Sequence, residues 1–186
     1  MLKHIAIING SLRKGSFNQS IVDYVKSILE SKGYFVTQII ISNVPLMNQD
    51  IEFPAPAAVY AIREEVKKSD ALWLVTPEYN GSVPSPLKNI LDWISRPVEP
   101  GLLGAPDFIS GKLVAISGAA GRSAASLVMN ELKGLLSRMS MNPLDELAGI
   151  SIPMEAFQTG KLILSEENKS LFNCQVKKFS EVLEKE

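Results

Sequence analysis

The chain has few of the residues that carry most hydrolytic, thiol and metal chemistry. Its 186 residues contain one histidine, His4, and one cysteine, Cys174. One cysteine cannot close an intrachain disulfide, and this usage is expected of a reducing compartment. Its setting, Phe172-Asn173-Cys174-Gln175-Val176, reads as a late helix, so Cys174 is expected to be structural rather than reactive. With a single histidine and a single cysteine, a metal site built from those ligands is excluded by count. A Ser-His-Asp triad would have to recruit His4, which begins the first strand, far from the ligand-facing carboxyl end of a parallel sheet. Charge of one sign is also lacking: 19 Lys and Arg stand against 20 Asp and Glu, a net charge of −1. That leaves no electrostatic footprint for nucleic acid or an anionic membrane, and little likeness to strongly acidic electron carriers. Long apolar runs are missing too. Met1-Leu2-Lys3-His4 leads into a short apolar run that Asn9-Gly10 ends well short of a membrane span, and no signal peptide is evident. A cytoplasmic location is the expectation. There is no low-complexity segment and no internal repeat.

What remains is 46% apolar and 21% charged, a globular composition of a length that favours one domain, residues 1–186. Apolar His4–Asn9 reads as a buried strand, and Ile21, Val22, Val25, Ile28 and Leu29 then recur with helical spacing. Gly33 stops that helix, and Phe35–Ile41 reads as an edge strand. A long loop with Pro45, Pro54 and Pro56 covers Ser42 to Pro56; loops of such length are often functional. Val59, Ile62 and Val66 mark a second helix. Ala71–Thr76 is apolar almost throughout, as a central parallel strand tends to be. Leu87, Ile90, Leu91 and Ile94 mark a third helix after Pro84 and Pro86. Trp93 falls off that stripe, which suggests either a subunit partner or burial beneath the loop that follows. Lys112–Ser117 is a fourth strand, and a helix carries Leu127, Val128, Leu132, Leu135, Leu136 and Met139. A weaker strand lies in Leu144 to Ile152, and Glu166 to Leu183 closes the chain as a helix. Strand and helix thus alternate about five times, which implies a parallel α/β sheet with helices on both faces.

In such a sheet, ligands bind outside the carboxyl ends of the strands. The loops after strands one, three and four meet at that edge and are the ones rich in Gly, Ser and Asn. The first, Gly10-Ser11-Leu12-Arg13-Lys14-Gly15-Ser16-Phe17-Asn18, runs from strand to helix. A helix start with free N–H groups suits a phosphate dianion; the plainer reading is an ordinary loop in which Ser16 or Asn18 caps the helix. Gly10 and Gly15 have P-loop spacing, but Ser16-Phe17 stands where Lys-Ser/Thr is required, and G-x-G-x-x-G is absent. Ser11, Arg13, Ser16 and Asn18 match one terminal phosphate, so a mononucleotide fits better than a dinucleotide.

This loop, together with Pro77-Glu78-Tyr79-Asn80-Gly81-Ser82-Val83-Pro84 after the third strand, resembles the NADPH-dependent FMN reductase family of flavodoxin-like proteins, over Ile5 to about Ser151. The resemblance implies a doubly wound five-stranded sheet of order 2-1-3-4-5. It implies FMN as cofactor, with NADPH or NADH as hydride donor and a quinone, azo compound, metal oxyanion or flavin as acceptor. It assigns the FMN phosphate to Ser11, Arg13, Ser16 and Asn18, and the isoalloxazine to Pro77, Glu78, Tyr79, Asn80 and Gly81, with Ser117 and Gly118 lining the flavin from the loop after strand four. A homodimer or homotetramer is implied, with the Pro84–Ile94 helix and the Ser95–Ser110 loop as interface elements. Flavin chemistry uses no protein nucleophile, which suits a chain without a catalytic His, Cys or metal set. Tyr79 either flanks the ring or is a buried structural tyrosine, Glu78 either meets the flavin or caps a loop, and Arg122 either attracts the NADPH phosphate or faces solvent. Two other classes share the fold: a non-enzymatic FMN electron carrier and a flavin-free regulatory module.

Overall fold

The computed structural model describes residues 2–185. Six strands and six helices follow one another as β1 (His4–Asn9), α1 (Phe17–Ser31), β2 (Phe35–Ile39), α2 (Ala57–Lys68), β3 (Ala71–Thr76), α3 (Ser85–Ser95), β4 (Leu113–Ala120), α4 (Ser126–Arg138), β5 (Asn142–Pro143), β6 (Ala148–Ser151), α5 (Met154–Thr159) and α6 (Glu166–Leu183). All strand pairs are parallel, in the order β2-β1-β3-β4-β5, with β6 also on β4. This is the flavodoxin-like order, whose switch point lies between β1 and β3. β2 is an edge strand, as its partial alternation indicates.

Each side of the sheet has its own core. Ile5, Ile7, Trp73 and Val75 pack against α1 and α6 through Val22, Val25, Leu29, Phe172, Val176 and Phe179. Ala6, Ile8, Leu72 and Leu74 point the other way, among Ile62, Val66, Leu87, Ile90, Ile94, Val128 and Leu132. The two-residue alternation of a strand divides one apolar run between two layers, which is why β3 is apolar at nearly every position.

Four features depart from the sequence reading. β4 continues past Ser117 through Gly118, Ala119 and Ala120, because Ser117–Ala120 pair with Ala148–Ser151. Pairing on both edges outweighs the weak strand propensity of Gly and Ala. The fifth strand is two pieces, not one, and Gln175 of α6 fills the break. Its Nε2 donates to the carbonyls of Ile116 (2.8 Å) and Glu146 (2.7 Å), while its Oε1 accepts from Ser117 Oγ (2.6 Å). Trp73 Nε1 donates to the same Ser117 Oγ at 2.9 Å, so every group in this buried chain has a partner. Trp93 is buried, but beneath the 42–56 loop that precedes α3 rather than the loop that follows it, and its Nε1 donates to Pro45 O at 2.8 Å. Cys174 lies on the exposed side of α6, not in the core, so burial does not explain it.

Candidate functional site

The loops that leave β1, β3, β4 and β6 enclose one cleft of about 430 Å³ at the carboxyl edge of the sheet. Ser11, Arg13, Ser16, Phe17 and Asn18 form one wall, Pro77, Glu78 and Tyr79 a second, and Ala119, Ala120 and Gly121 a third. The fourth comes from Ile152, Phe157 and Gly160.

The first wall is a helix start without a lid of its own. Ser16 is the N-cap residue of α1, yet no side chain hydrogen-bonds the first turn. Gln19 N donates to Ser16 O (3.0 Å), which leaves the N–H groups of Phe17 and Asn18 for a ligand, and no acidic residue lies in that turn to compete with an anion. The loop is pre-shaped: Ser11 N donates to Asn9 Oδ1 (3.0 Å), Arg13 N to Ser11 Oγ (3.3 Å), and Ser16 N to Arg13 O (3.0 Å). Gly15 sits at φ +68°, the left-handed turn that brings the chain back into α1. Arg13 lies over the Phe17 ring, with its guanidinium carbon 4.4 Å from the centroid. Asn18 lines the cleft but is also a brace. Its Oδ1 accepts from Ala119 N (2.9 Å) and its Nδ2 donates to Ala119 O (3.3 Å), tying α1 to the end of β4.

In the second wall, Tyr79-Asn80-Gly81-Ser82 forms a tight hairpin. Asn80 and Gly81 have φ of +54° and +73°, and Tyr79 and Ser82 exchange both backbone hydrogen bonds. Two left-handed central residues define a type I′ turn, which explains Asn-Gly here. Two carboxylates lock this loop to α4 from opposite directions. Glu78 accepts from Ser123 Oγ (2.5 Å) and from Val128 N (3.1 Å) in the first turn of α4. Glu131 of α4 accepts from Ser82 Oγ (2.8 Å) and from Val83 N (3.2 Å). Glu78 thus acts as a cap for α4 while its chain borders the cleft. Tyr79 is 48% exposed and has no buried packing role.

Ser117 and Gly118 stand apart from the cleft lining. Ser117 is fully buried in the Trp73–Gln175 chain. At Gly118 an added Cβ would come within 2.5 Å of Thr76 O and 2.8 Å of the Ala125 side chain, so the residue serves close packing. The extension of β4 moves the cleft-lining positions onward to Ala119, Ala120 and Gly121. Asn80 and Gly81 form the turn beside the cleft, and Arg122 is exposed at the start of the next loop. Phe17, Ile152, Phe157 and Gly160 are lining residues that the motifs did not single out. Phe17 lies inside the first motif, whereas α5 carries no motif at all.

No group of acidic, His or Cys residues among the described residues could hold a metal ion. His4 contacts Thr37 at the amino end of the sheet, through Nε2 and Oγ1 2.8 Å apart. No helix among the described residues is long and apolar enough to cross a membrane.

Residues 4–152 match the family model of NADPH-dependent FMN reductase. The chain is 34% identical over 172 residues to an NAD(P)H-dependent FMN reductase of Pseudomonas aeruginosa, covering 91% of this chain and 89% of that protein. It is 32% identical over 161 residues to a quinone reductase of Escherichia coli, covering 86% and 84% of the two chains. Among solved structures, FerB, a flavoenzyme NAD(P)H:(acceptor) oxidoreductase from Paracoccus denitrificans, superposes with a TM-score of 0.83 at 29% identity over 99% of this chain and 98% of that one. The matched family, the sheet order and the arrangement of the three motif loops agree, and the chain belongs to the NADPH-dependent FMN reductase family of flavodoxin-like oxidoreductases.

Proposed function

We propose that the chain binds FMN in the cleft and passes reducing equivalents from NAD(P)H to a small acceptor in a ping-pong cycle, donor and acceptor using the same open side in turn. The observation that carries this reading is the meeting, in one cleft, of an uncapped helix start beside Arg13, Ser11 and Ser16 with an open wall at Pro77 and Tyr79. The first half suits a phosphate dianion, through backbone donors, hydroxyls and one guanidinium. The second, through Pro77 and Tyr79, is a partly apolar surface for a ring. When bound, FMN supplies the hydride acceptance and delivery, so the chain needs no nucleophile of its own.

In this reading Ser11, Arg13 and Ser16 hold the phosphate, and Asn18 keeps one amide hydrogen for it beyond its contacts with Ala119. Pro77, Tyr79 and the peptides of Asn80 and Gly81 border the ring, with Glu78 and Glu131 fixing that loop on α4. Ser117 and Gly118 support the β4 end from beneath. The names of the relatives support NAD(P)H as donor and a quinone among the acceptors. An azo compound, a metal oxyanion and free flavin complete the acceptor panel. A cytoplasmic location, and association into a homodimer or homotetramer, belong to the same proposal.

The test is NAD(P)H oxidation by FMN-loaded protein across that panel. Turnover with a quinone is expected. Loaded protein that leaves NAD(P)H untouched with every acceptor would be an electron carrier. Colourless protein whose melting temperature FMN does not raise would rule out flavin binding, because a ligand of the folded state must stabilise it. Arg13→Ala is expected to weaken FMN binding about tenfold, the effect of losing one charge-assisted contact; unchanged affinity would defeat the phosphate assignment.

A further inference from the structure

The matched family region ends at residue 152, yet Phe157 and Gly160 of the fourth wall lie beyond it. Helix α5 is only six residues long, but it is well anchored: Ala156, Leu162 and Leu164 are buried in the core shared with α1 and α6. Phe157 projects outward, as Met154 and Ile163 do. It is 56% exposed and stands at the rim of the cleft. Its ring meets that of Phe17 edge to face, with centroids 5.4 Å apart and planes at 89°. Phe17 in turn carries the Arg13 guanidinium, 4.4 Å from its centroid.

The three side chains therefore form a stack running from α5 through α1 to the phosphate loop. A guanidinium on an aromatic ring is held by the ring quadrupole, while its N–H donors remain free for an anion. The edge-to-face contact fixes the orientation of the Phe17 ring that supports it. Without Phe157, Phe17 would have one side open to water and Arg13 a looser support.

We infer that Phe157 is a positioning residue for the phosphate anchor: acting through Phe17, it holds Arg13 in place, so that a segment outside the matched family region helps to retain FMN. The inference rests on the FMN reading above. It commits Phe157 to the phosphate end of the ligand, and riboflavin, which has the same ring system and no phosphate, separates the two ends.

The experiment titrates apo-protein with FMN and with riboflavin, following flavin fluorescence. Phe157→Ala is expected to raise the Kd for FMN about three- to tenfold, the range of one aromatic and one cation–π contact, and to leave riboflavin binding unchanged. Phe157→Tyr, which keeps the ring, should restore the FMN affinity, and Phe17→Leu should show the same split between ligands. In an Arg13→Ala background the Phe157→Ala effect should vanish, since the two substitutions remove one linked interaction. Parallel losses for FMN and riboflavin would make Phe157 a ring contact or a general brace and overturn the inference. So would unchanged FMN affinity, or full additivity with Arg13→Ala. Failure of the FMN reading itself looks different: the unsubstituted protein would bind neither flavin, or would bind both equally.

Discussion

Single residues decide where the backbone can approach. Gly149 lies on β6 opposite Gly118, and an added Cβ there would stand 2.0 Å from Ala124 O and 2.5 Å from the Met129 methyl. Ala124 and Ala125 hold φ of +49° and +61°, left-handed values that Ala adopts only under constraint. Each such residue stores about 1–3 kcal/mol when the surroundings enforce it. The turn is held by the Ser123–Glu78 bond and by burial of Ala125. Gly149→Ala would drive the Ala124 carbonyl off the sheet and is expected to destabilise the fold by about 3 kcal/mol, an overpacking effect against unyielding backbone. Chemical denaturation checks this, and an unchanged midpoint would show that the turn can relax. Buried Ser117 makes a related point. A serine at the end of a strand reads as a ligand-facing hydroxyl, but the Trp73 indole and the Gln175 amide engage it from both sides.

At the scale of elements, the 42–56 loop shows how a segment whose one regular piece is the 3-10 turn Gln49–Ile51 is held in place. Asn89 of α3 accepts from Met47 N (2.7 Å) and donates to Pro45 O (2.9 Å). Arg96, just past α3, grips the buried Glu52 carboxylate with two bonds of 2.7 and 3.0 Å. Arg63 of α2 donates to Trp93 O at 2.8 Å, capping the carboxyl end of α3. The Arg96 hydrogen bond holds the Glu52 carboxyl below its ordinary range, and Glu52 draws the Arg96 guanidinium up. Because the folded value of Glu52 is depressed, its stabilisation is present in full above the ordinary carboxylate range and is lost as pH falls through the folded value. Glu52→Gln should lower stability by about 2 kcal/mol at neutral pH. The deficit should shrink on acidification, as the parent protein loses the same charge. Thermal midpoints of both proteins between neutral and acidic pH test this. A deficit independent of pH would mean that packing, not the ion pair, holds the loop.

On the scale of the whole molecule, the apolar side chains of α3 are taken up by the sheet and the 42–56 loop, so that helix offers little to a second copy. The following loop differs. Val98, Leu102 and Leu103 are exposed, Leu103 almost completely at 97%. Of the two interface elements implied by the family resemblance, this loop is therefore the stronger ground for the proposed homo-oligomer. Sedimentation of the parent protein is expected to give a dimer or tetramer, and Leu103→Glu, which sets a charge in an apolar contact, is expected to shift it toward monomer. A variant that sediments like its parent would place the contact elsewhere.

Periodicity and loop chemistry alone established the alternating strand–helix order, the buried β1 and β3, the edge position of β2, and the carboxyl-edge location of the Gly- and Ser-rich loops. These are local signals: a repeat of two or of 3.6 residues, a glycine at a turn, hydroxyls before a helix. Tertiary structure decided what depends on partners distant in the chain. Pairing with β6 drew Gly118, Ala119 and Ala120 into β4, and Gln175, 59 residues from Ile116, bridged the broken fifth strand. The 42–56 loop buried Trp93, whose helical spacing pointed outward. Helix α5 placed Phe157 against Phe17 across 140 residues of sequence, because its anchors Ala156, Leu162 and Leu164 belong to the common core. A sequence records which residues can form an element; which elements meet follows from how two apolar layers close over a shared sheet, and that closure gives the cleft its fourth wall.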